Sequence, residues 1–181
     1  MCGRYCVDIS KDDLSFVNNI NEIEYEKNFN VAPQTLAPCI IDNNLVIANW
    51  GYFPDWLKNQ SNSRPLFNTR HESLLDKKTF TSAFRNSRCL IPISGWYEWK
   101  EEDGIKQPYY FFDISESLLF AAGLYWNRSS GDIETSIITR EAVSLLQPIH
   151  NRSPLLLTSD SRDIWMSDAP SEEIYTEVLG Y

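Results

Sequence analysis

The stretch Cys89-Leu90-Ile91-Pro92-Ile93-Ser94-Gly95-Trp96-Tyr97-Glu98-Trp99-Lys100 decides the fold, because it begins a series of closely spaced strands. Its apolar run and its aromatic residues are both typical of β-strands, which favour branched and aromatic side chains. Five such segments follow one another: 89–93, 96–100, 108–114, 119–125 and 134–140. Strands this close along a chain, separated by turn sequences such as Asp103-Gly104, predict a largely antiparallel sheet or a small β-barrel.

Helices and further strands flank this series on both sides. Strands are predicted at 3–7, 36–41 and 45–53, the last two forming a hairpin. Helices are predicted at 10–19, 71–86, 141–147, 160–167 and 171–178. The first helix would begin at Ser10, since Asp13 completes a capping-box pattern, and the polar segment 20–35 is predicted as a loop. The fold class is therefore α+β, with a mostly antiparallel sheet or small barrel flanked by short helices.

Length and composition fit a folded protein. A chain of 181 residues is long enough for one domain with a sizeable core. Its 43% hydrophobic and 13% aromatic content indicates a globular rather than a disordered chain. No apolar run reaches the roughly 20 residues of a membrane span, and the N-terminus lacks the pattern of a secretory signal. We therefore expect a cytoplasmic protein without a membrane partner.

The four cysteines do not suggest a metal centre. Their spacing fits neither a zinc site nor the disulfide framework of a small secreted fold. Cys39 and Cys89 lie in apolar runs, which predicts that both belong to the core. We expect no metal and no cofactor.

The charge distribution limits the possible partners. A net charge of −9 argues against a general nucleic-acid binder, which usually has a basic balance. The acidic residues crowd towards the two ends of the chain, whereas arginines dominate its middle. A local basic groove is still compatible with this sequence, because a phosphate responds to the local field rather than to the net charge.

Cys2 is the residue with the most distinctive chemistry. It follows the initiator Met1, which is normally removed when the next side chain is small. Removal leaves an α-amine, with a pKa of about 7.7–8.0, and a thiol, with a pKa of about 8.5, on adjacent carbons. Such a pair condenses twice with an aldehyde, because the amine forms a Schiff base and the neighbouring thiol then closes a thiazolidine ring. The alternative is that Cys2 follows the start codon by chance.

Four other polar clusters are candidates for a functional site. They are Trp50–Trp56, Phe67–Arg70, Ser94–Trp99 and Ile149–Pro154. Each has a structural alternative. Glu98 could face solvent, His150 could be a structural histidine and Asn68 could be a turn residue. Arg4, Arg70 and Arg152 could form surface ion pairs.

Taken together, these clusters resemble the SRAP family, the SOS response-associated peptidases that are also called abasic-site-processing proteins. Six motifs that resemble this family follow one another between residue 1 and about residue 166. They are Met1-Cys2-Gly3-Arg4, Asn30-Val31-Ala32-Pro33, Trp50-Gly51-Tyr52-x-Pro54-x-Trp56, Asn68-x-Arg70-x-Glu72, Gly95-Trp96-Tyr97-Glu98-Trp99 and Ile149-His150-x-Arg152-x-Pro154. Six ordered motifs make a chance match implausible, and Cys2 then belongs to the first of them.

The resemblance implies a function in DNA damage. Proteins of this family trap abasic sites in single-stranded DNA, where the opened deoxyribose presents an aldehyde at C1′. By resemblance, Cys2 forms the covalent crosslink, and the same chemistry follows independently from its amine and thiol. The resemblance also implies catalytic roles for Cys2, Asn68, Glu98 and His150, and DNA-binding roles for Arg4, Pro33, Trp56, Arg70, Thr139 and Arg152. The arginines would bind phosphates, whereas Trp56 and Pro33 would stack against bases.

The implied catalytic roles differ from residue to residue. Asn68 would hold the opened sugar or orient the Cys2 amine. Glu98 lies in an aromatic strand, where desolvation is expected to raise its pKa towards the working pH and suit it to proton transfer. His150 would contact a sugar hydroxyl or a phosphate and shuttle a proton.

Two other functions remain open at this point. Cys2 could be the nucleophile of a thiol peptidase or autopeptidase, with His150 as its base. The chain could also be a single-strand binding module without catalysis. We expect a monomer that is associated with the nucleoid when bound to DNA.

The chain departs from the family pattern in three places. Thr69 stands where alanine is usual, and Leu57 follows Trp56 where a second tryptophan can occur. Members usually continue beyond the position of Tyr181, so we expect a single domain over 1–181 without the usual C-terminal extension.

Overall fold

A computed structural model describes residues 2–58, 60, 62–115 and 118–180, with only the backbone of Lys58. The strands in this part of the chain are β1 (Arg4–Val7), β2 (Asn28–Val31), β3 (Leu36–Ile41), β4 (Asn44–Trp50), β5 (Asn68–Arg70), β6 (Arg88–Ile93), β7 (Gly95–Glu102), β8 (Ile105–Phe111), β9 (Leu119–Asn127), β10 (Ile133–Glu141), β11 (Arg152–Pro154) and β12 (Leu156–Leu157). The α-helices are α1 (Asp55–Lys58), α2 (Lys78–Asn86), α3 (Ser159–Met166) and α4 (Ser171–Ile174). Two 3-10 helices, Asp12–Leu14 and His71–Ser73, and a π-helix, Tyr175–Leu179, complete the elements.

Five strands close into a small barrel in the order β10-β4-β3-β6-β9, with β9 pairing back onto β10. These pairs are antiparallel except for β10 with β4. A second, fully antiparallel sheet has the order β2-β1-β7-β8. The short helices flank these sheets, so the expected α+β fold with a mostly antiparallel small barrel is confirmed.

Strand alternation sorts the apolar side chains into two cores. Along β6, Leu90 packs with the helices, whereas Cys89 and Ile91 point to the opposite side. The first core contains Phe84 of α2 and Trp165 of α3. The second contains Tyr5 and Trp96 of the four-stranded sheet and so joins that sheet to the barrel. Cys39 and Cys89 are both buried in the second core, as the sequence predicted.

Gly95 marks the point where β7 and β8 come closest. A Cβ atom at this position would lie 2.4 Å from the Tyr110 ring and 2.6 Å from the Phe111 carbonyl oxygen. Both distances are shorter than any ordinary contact, so only glycine fits here. This close approach fixes the register of the strand that carries Glu98.

Two predicted helices are wrong. In 10–19 only Asp12–Leu14 is helical, although the Ser10 backbone N–H does donate to Asp13 Oδ2 over 2.9 Å. The segment then turns away because the Asn19 amide exchanges two hydrogen bonds with the Leu45 backbone. Segment 141–147 is a series of turns in the connection from β10 to β11, closed where the Ala142 N–H donates to the Asn151 carbonyl oxygen over 3.0 Å.

Other predicted boundaries need smaller corrections. The helix predicted at 71–86 is divided into the 3-10 helix His71–Ser73 and α2, with an extended backbone at Lys77 between them. The last helix ends in the π-helical turn Tyr175–Leu179. The predicted loop 20–35 contains the edge strand β2, and the short strands β5, β11 and β12 lay outside the predicted set. No helix in the described residues is long and apolar enough to cross a bilayer.

Candidate functional site

Strand β10 gathers the candidate residues by pairing with three other strands in succession. Its residues 134–135 pair with β4, residues 137–139 with β5 and residues 139–141 with β11. Strand β5 carries Asn68 and Arg70, and β11 begins at Arg152, two residues after His150. One end of β10 therefore brings together motifs that lie about 80 residues apart in the sequence.

Cys2 lies at the beginning of the four-stranded sheet and is buried. The Asn68 Nδ2 group donates a hydrogen bond of 2.7 Å to the Cys2 carbonyl oxygen, which fixes the Cys2 backbone. The Asn68 Oδ1 atom is also buried, and the described part of the chain offers it no donor. This oxygen is therefore available to accept a hydrogen bond from a nearby amine.

Glu98 lies close to Cys2 on the buried face of β7. Arg4 of β1 is opposite Tyr97 of β7, so the chain that leads back to Cys2 runs alongside Glu98. Glu98 is only 2% exposed, and this burial raises the pKa of its carboxyl group to about 7. Burial also raises the pKa of the Cys2 thiol, and the Glu98 charge raises it further. At neutral pH the site therefore holds a thiol rather than a thiolate, beside a carboxyl group that is half protonated.

His150 is the fourth residue that the structure brings to this place. Its Nδ1 atom lies 3.9 Å from Glu98 Oε2. The same Nδ1 lies 3.0 Å from the Arg152 backbone N–H and 3.1 Å from the Arg152 carbonyl oxygen. The Arg152 backbone thus offers a donor to the neutral ring and an acceptor to a protonated Nδ1. Burial lowers the pKa of His150, so the neutral ring predominates at pH 7.

The Arg152 side chain is held by the protein itself. Its Nη1 and Nη2 atoms lie 2.5 Å and 3.0 Å from the two carboxylate oxygens of Glu72. Nη2 also donates to the Thr139 carbonyl oxygen over 2.6 Å and lies 3.3 Å from the Thr139 hydroxyl. Thr139 is fully buried, and a DNA-binding role for it stays a prediction. DNA binding by Arg152 stays a prediction, since its guanidinium group is occupied here.

Two further arginines lie at the edge of the site. Arg70 is exposed on β5 and lines a groove of about 430 Å³ together with His150, Asn151, Arg152 and Glu141. Arg4 is half-buried on β1, where its Nη1 atom donates to the Gly3 carbonyl oxygen over 2.8 Å. The exposed Arg70 guanidinium group is the better placed of the two for an anion that enters this groove.

The aromatic segment 50–56 begins in the core at Trp50 and ends in one exposed aromatic side chain. Trp56 lies in α1 and is 58% exposed. The loop before it is fixed because the Phe53 N–H donates to Glu134 Oε2 over 3.0 Å, while Arg128 contacts both Glu134 and Asp55. An exposed tryptophan on a fixed loop is suited to stacking, because little conformational freedom is lost on binding.

Pro33 lies in a turn next to this segment. The following residue, Gln34, donates its backbone N–H to the Trp50 carbonyl oxygen over 2.7 Å. The Trp50 N–H in turn donates to the Thr35 carbonyl oxygen over 3.0 Å. The Pro33 turn and the Trp56 segment are thereby both attached to the end of β4, and Pro33 itself is half-buried.

Sequence reasoning assigned no role to Glu72, although it stands in the motif with Asn68 and Arg70. Its partner Arg152 lies 80 residues further along the chain, so no local pattern revealed the pair. Glu134 and Arg128 also had no assigned role, although they lie close together across the turn between β9 and β10, where they fix the aromatic loop. Within the described residues, no cluster of histidine, cysteine and acidic side chains could hold a metal ion.

The fold and the site define a class of small-barrel α+β proteins in which a cysteine next to the first methionine lies beside a buried glutamate. The model of the family described as SOS response associated peptidase (SRAP) matches residues 1–179. The chain therefore belongs to the SRAP family.

Named relatives and solved structures agree with this assignment. The chain is 33% identical over 192 residues to the abasic site processing protein YoqW of Bacillus subtilis, a match that covers 99% of this chain and 86% of that protein. It is 27% identical to the abasic site processing protein YedK of Escherichia coli, over 98% of this chain and 85% of that protein. A Bacteroides thetaiotaomicron crystal structure shares the fold, with a TM-score of 0.83, 24% identity and coverage of 98% and 86%. A phage-related protein from Bordetella bronchiseptica has a TM-score of 0.77, 26% identity and coverage of 99% and 88%.

Proposed function

We propose that this protein processes abasic sites in single-stranded DNA by forming a covalent thiazolidine crosslink through Cys2 after Met1 is removed. The observation that carries the proposal is the arrangement of Cys2, whose backbone is held by Asn68 and whose thiol lies beside the buried Glu98. The names of the relatives support abasic sites as the substrate.

The proposed reaction consumes one aldehyde and releases one water. The neutral α-amine of Cys2 adds to C1′ of the opened deoxyribose and gives a carbinolamine. Loss of the hydroxyl group as water leaves an imine. The Cys2 sulfur then adds to the same carbon, its proton moves to the nitrogen, and the five-membered ring closes. Both attacking groups belong to one residue, so the second step is intramolecular and gains from proximity.

Glu98 is the proposed proton carrier. In its protonated form it donates a proton to the departing hydroxyl group, and as a carboxylate it then accepts the thiol proton. A pKa of about 7 suits both tasks near neutral pH, because each protonation state is well populated. The positively charged iminium form of the intermediate also favours loss of the thiol proton, which offsets the effect of burial on the Cys2 thiol.

Asn68 and His150 are proposed to orient the reacting groups. Asn68 holds the Cys2 carbonyl oxygen with its amide nitrogen and presents its buried Oδ1 to the α-amine. His150 lies 3.9 Å from Glu98, at the groove that Arg70 lines. In this position His150 would contact a sugar hydroxyl or phosphate and exchange protons with Glu98.

Single-stranded DNA is proposed to lie along the groove and past the exposed Trp56 side chain. Arg70 and Arg4 would bind phosphates, and Trp56 and Pro33 would stack against bases beside the lesion. Arg152 would reach a phosphate only by exchanging its Glu72 partner. We propose that this takes place in the cytoplasm, with the protein at the nucleoid when it is bound to DNA.

The substrate class is tested with matched oligonucleotides. Purified protein is incubated with single strands that carry one abasic site or none, and with a peptide substrate. The proposal expects a denaturation-resistant complex with the abasic strand alone. Equal affinity for abasic and intact strands without a covalent product would favour a binding module. Peptide cleavage that depends on Cys2 would favour a thiol peptidase.

A further inference from the structure

Glu72 is connected to the reacting groups by an unbroken series of contacts. It lies in the 3-10 helix His71–Ser73, directly after the strand that carries Asn68 and Arg70. Its two carboxylate oxygens receive the Arg152 guanidinium group in a bidentate pair, at 2.5 Å and 3.0 Å. The Glu72 side chain is half exposed, whereas Arg152 is only 12% exposed. A bidentate pair fixes the plane of the guanidinium group as well as its position.

Arg152 is held from a second direction by β10. Its Nη2 atom also reaches the Thr139 carbonyl oxygen over 2.6 Å. Its backbone pairs with Glu141 at the end of the same strand. The Arg152 residue is therefore fixed at both its backbone and its side chain, and Glu72 supplies the only charged partner found in the described residues.

The fixed residue determines the position of His150. The Arg152 N–H and carbonyl oxygen lie 3.0 Å and 3.1 Å from His150 Nδ1, the atom that faces Glu98 across 3.9 Å. A rotation of the Arg152 peptide would move both of these groups away from the imidazole ring. The orientation of the ring relative to Glu98 thus depends on how the Arg152 residue is held, by the backbone pairing with Glu141 and by the side-chain contacts with Glu72 and Thr139.

We propose that Glu72 is a positioning residue for the abasic-site reaction, acting through Arg152 on the orientation of the His150 ring beside Glu98. The proposal rests on the proposed function and goes beyond it, since it assigns a role to a carboxylate that does not touch the substrate. The Arg152 guanidinium group lowers the pKa of Glu72 to about 2, so Glu72 is a carboxylate throughout the working range.

The kinetic test separates positioning from DNA affinity. Single-turnover crosslinking to an abasic single strand gives a maximal rate and a half-saturating concentration for each variant. Glu72→Gln removes the charge but keeps the shape, and we expect its maximal rate to fall between about 10-fold and 10²-fold, as for a modest displacement of a catalytic group. Its half-saturating concentration should stay equal or decrease, because the negative charge beside Arg152 is removed.

Glu173→Gln is the charge control, because Glu173 is an exposed carboxylate of α4 that does not line this groove. It removes the same charge without touching the bidentate pair, so its maximal rate should equal that of the parent. Arg152→Lys keeps the charge but loses the guanidinium fork, and it should lower the maximal rate as Glu72→Gln does. The double variant should react no more slowly than the slower single variant, because both changes remove one interaction.

A spectroscopic test of the role of Glu72 does not depend on crosslinking. If the parent protein forms no crosslink, only the proposed function is rejected, and the spectroscopic test still applies. The chain contains two histidines, so the ring signals of His150 are assigned in NMR spectra with the help of His71→Asn. The assignment is needed because His71 Nδ1 lies 3.2 Å from Glu72. We expect the ring-nitrogen shifts of His150 to change in Glu72→Gln and to match the parent in Glu173→Gln.

Three results would overturn the proposal. The first is unchanged His150 ring signals in Glu72→Gln. The second is a maximal crosslinking rate in Glu72→Gln equal to that of the parent or matched by Glu173→Gln. The third is a double variant in which the losses from Glu72→Gln and Arg152→Lys multiply, since independent losses would show that the pair does not act as a unit.

Discussion

Glu98→Gln is the substitution that tests the proposed chemistry most sharply, because its effect should depend on pH in a way that burial dictates. The substitution keeps the size of the side chain and removes the titrating proton. With a pKa of about 7, half of Glu98 is protonated at pH 7. An exposed glutamate with a pKa of about 4.3 would be protonated in only about one molecule in 500 at that pH. Burial therefore makes the proton donor available.

The expected loss follows from the fraction of Glu98 that is protonated. A general acid contributes typically 10²–10⁴-fold in rate, and Glu98→Gln should lose a factor in that range at pH 7. At pH 9 only about 1% of Glu98 would be protonated, so the ratio of parent to variant rates should shrink about 50-fold between pH 7 and pH 9. Titration of the Cys2 amine changes both rates equally and cancels from this ratio.

The assay is single-turnover crosslinking to an abasic single strand, quenched into denaturant, at several pH values from 5 to 9. Glu101→Gln is the control, because Glu101 lies on the same strand and is exposed. The Glu101→Gln variant should react at the parent rate at every pH. The affinity of the Glu98→Gln variant for DNA should differ little from that of the parent. A Glu98→Gln variant that crosslinks at the parent rate across the range would refute the role of Glu98. A ratio that stays constant with pH would show that the titrating group is not Glu98.

Three further predictions follow from the same site. Replacing Arg70 or Arg4 with alanine should weaken binding to every single-stranded sequence alike. The slope of log K against log salt concentration, measured by fluorescence anisotropy, should become smaller by a little under one unit. Unchanged slopes in both variants would show that these arginines are structural. Trp56→Ala should weaken binding to single strands by about 1–3 kcal/mol while Trp56→Phe retains most of the affinity, and equal losses would argue against stacking. Since the pKa of Glu98 is raised from 4.5 to about 7 in the folded state, the folded protein binds the proton more tightly. Its free energy of unfolding, measured by urea denaturation, should therefore fall by about 3 kcal/mol as pH rises from 4.5 to 7. The Glu98→Gln variant should lack this decrease.

The local patterns of the sequence predicted most of the strands. The series from 89 to 140 contains strong runs of branched and aromatic residues, and β6 to β10 all form there. The sequence also left two interpretations of Glu98 open, because alternation alone does not say which face of β7 is buried. The structure places Trp96 and Glu98 on the buried face, at 5% and 2% exposure. That face is decided by packing against the barrel, which no local pattern contains.

The predictions that failed depended on contacts between distant segments. The helical pattern at 10–19 is overridden by the hydrogen bonds between Asn19 and Leu45, and segment 141–147 is bent by the pairing of β10 with β11. For the same reason the pair of Glu72 and Arg152 was not predicted, although both residues stand in recognised motifs. The motifs named the candidate residues, whereas the pairing of β10 determines how those residues meet.

The most direct test of the account is intact-mass spectrometry of the protein before and after reaction with an abasic single strand. The account predicts that the purified protein lacks Met1 and that the heat-stable product has the summed mass of protein and DNA less one water. The N-terminal peptide of that product should carry the adduct at Cys2 with neither a free amine nor an alkylatable thiol. A product attached elsewhere, or an equally stable product from Cys2→Ser, would contradict the account.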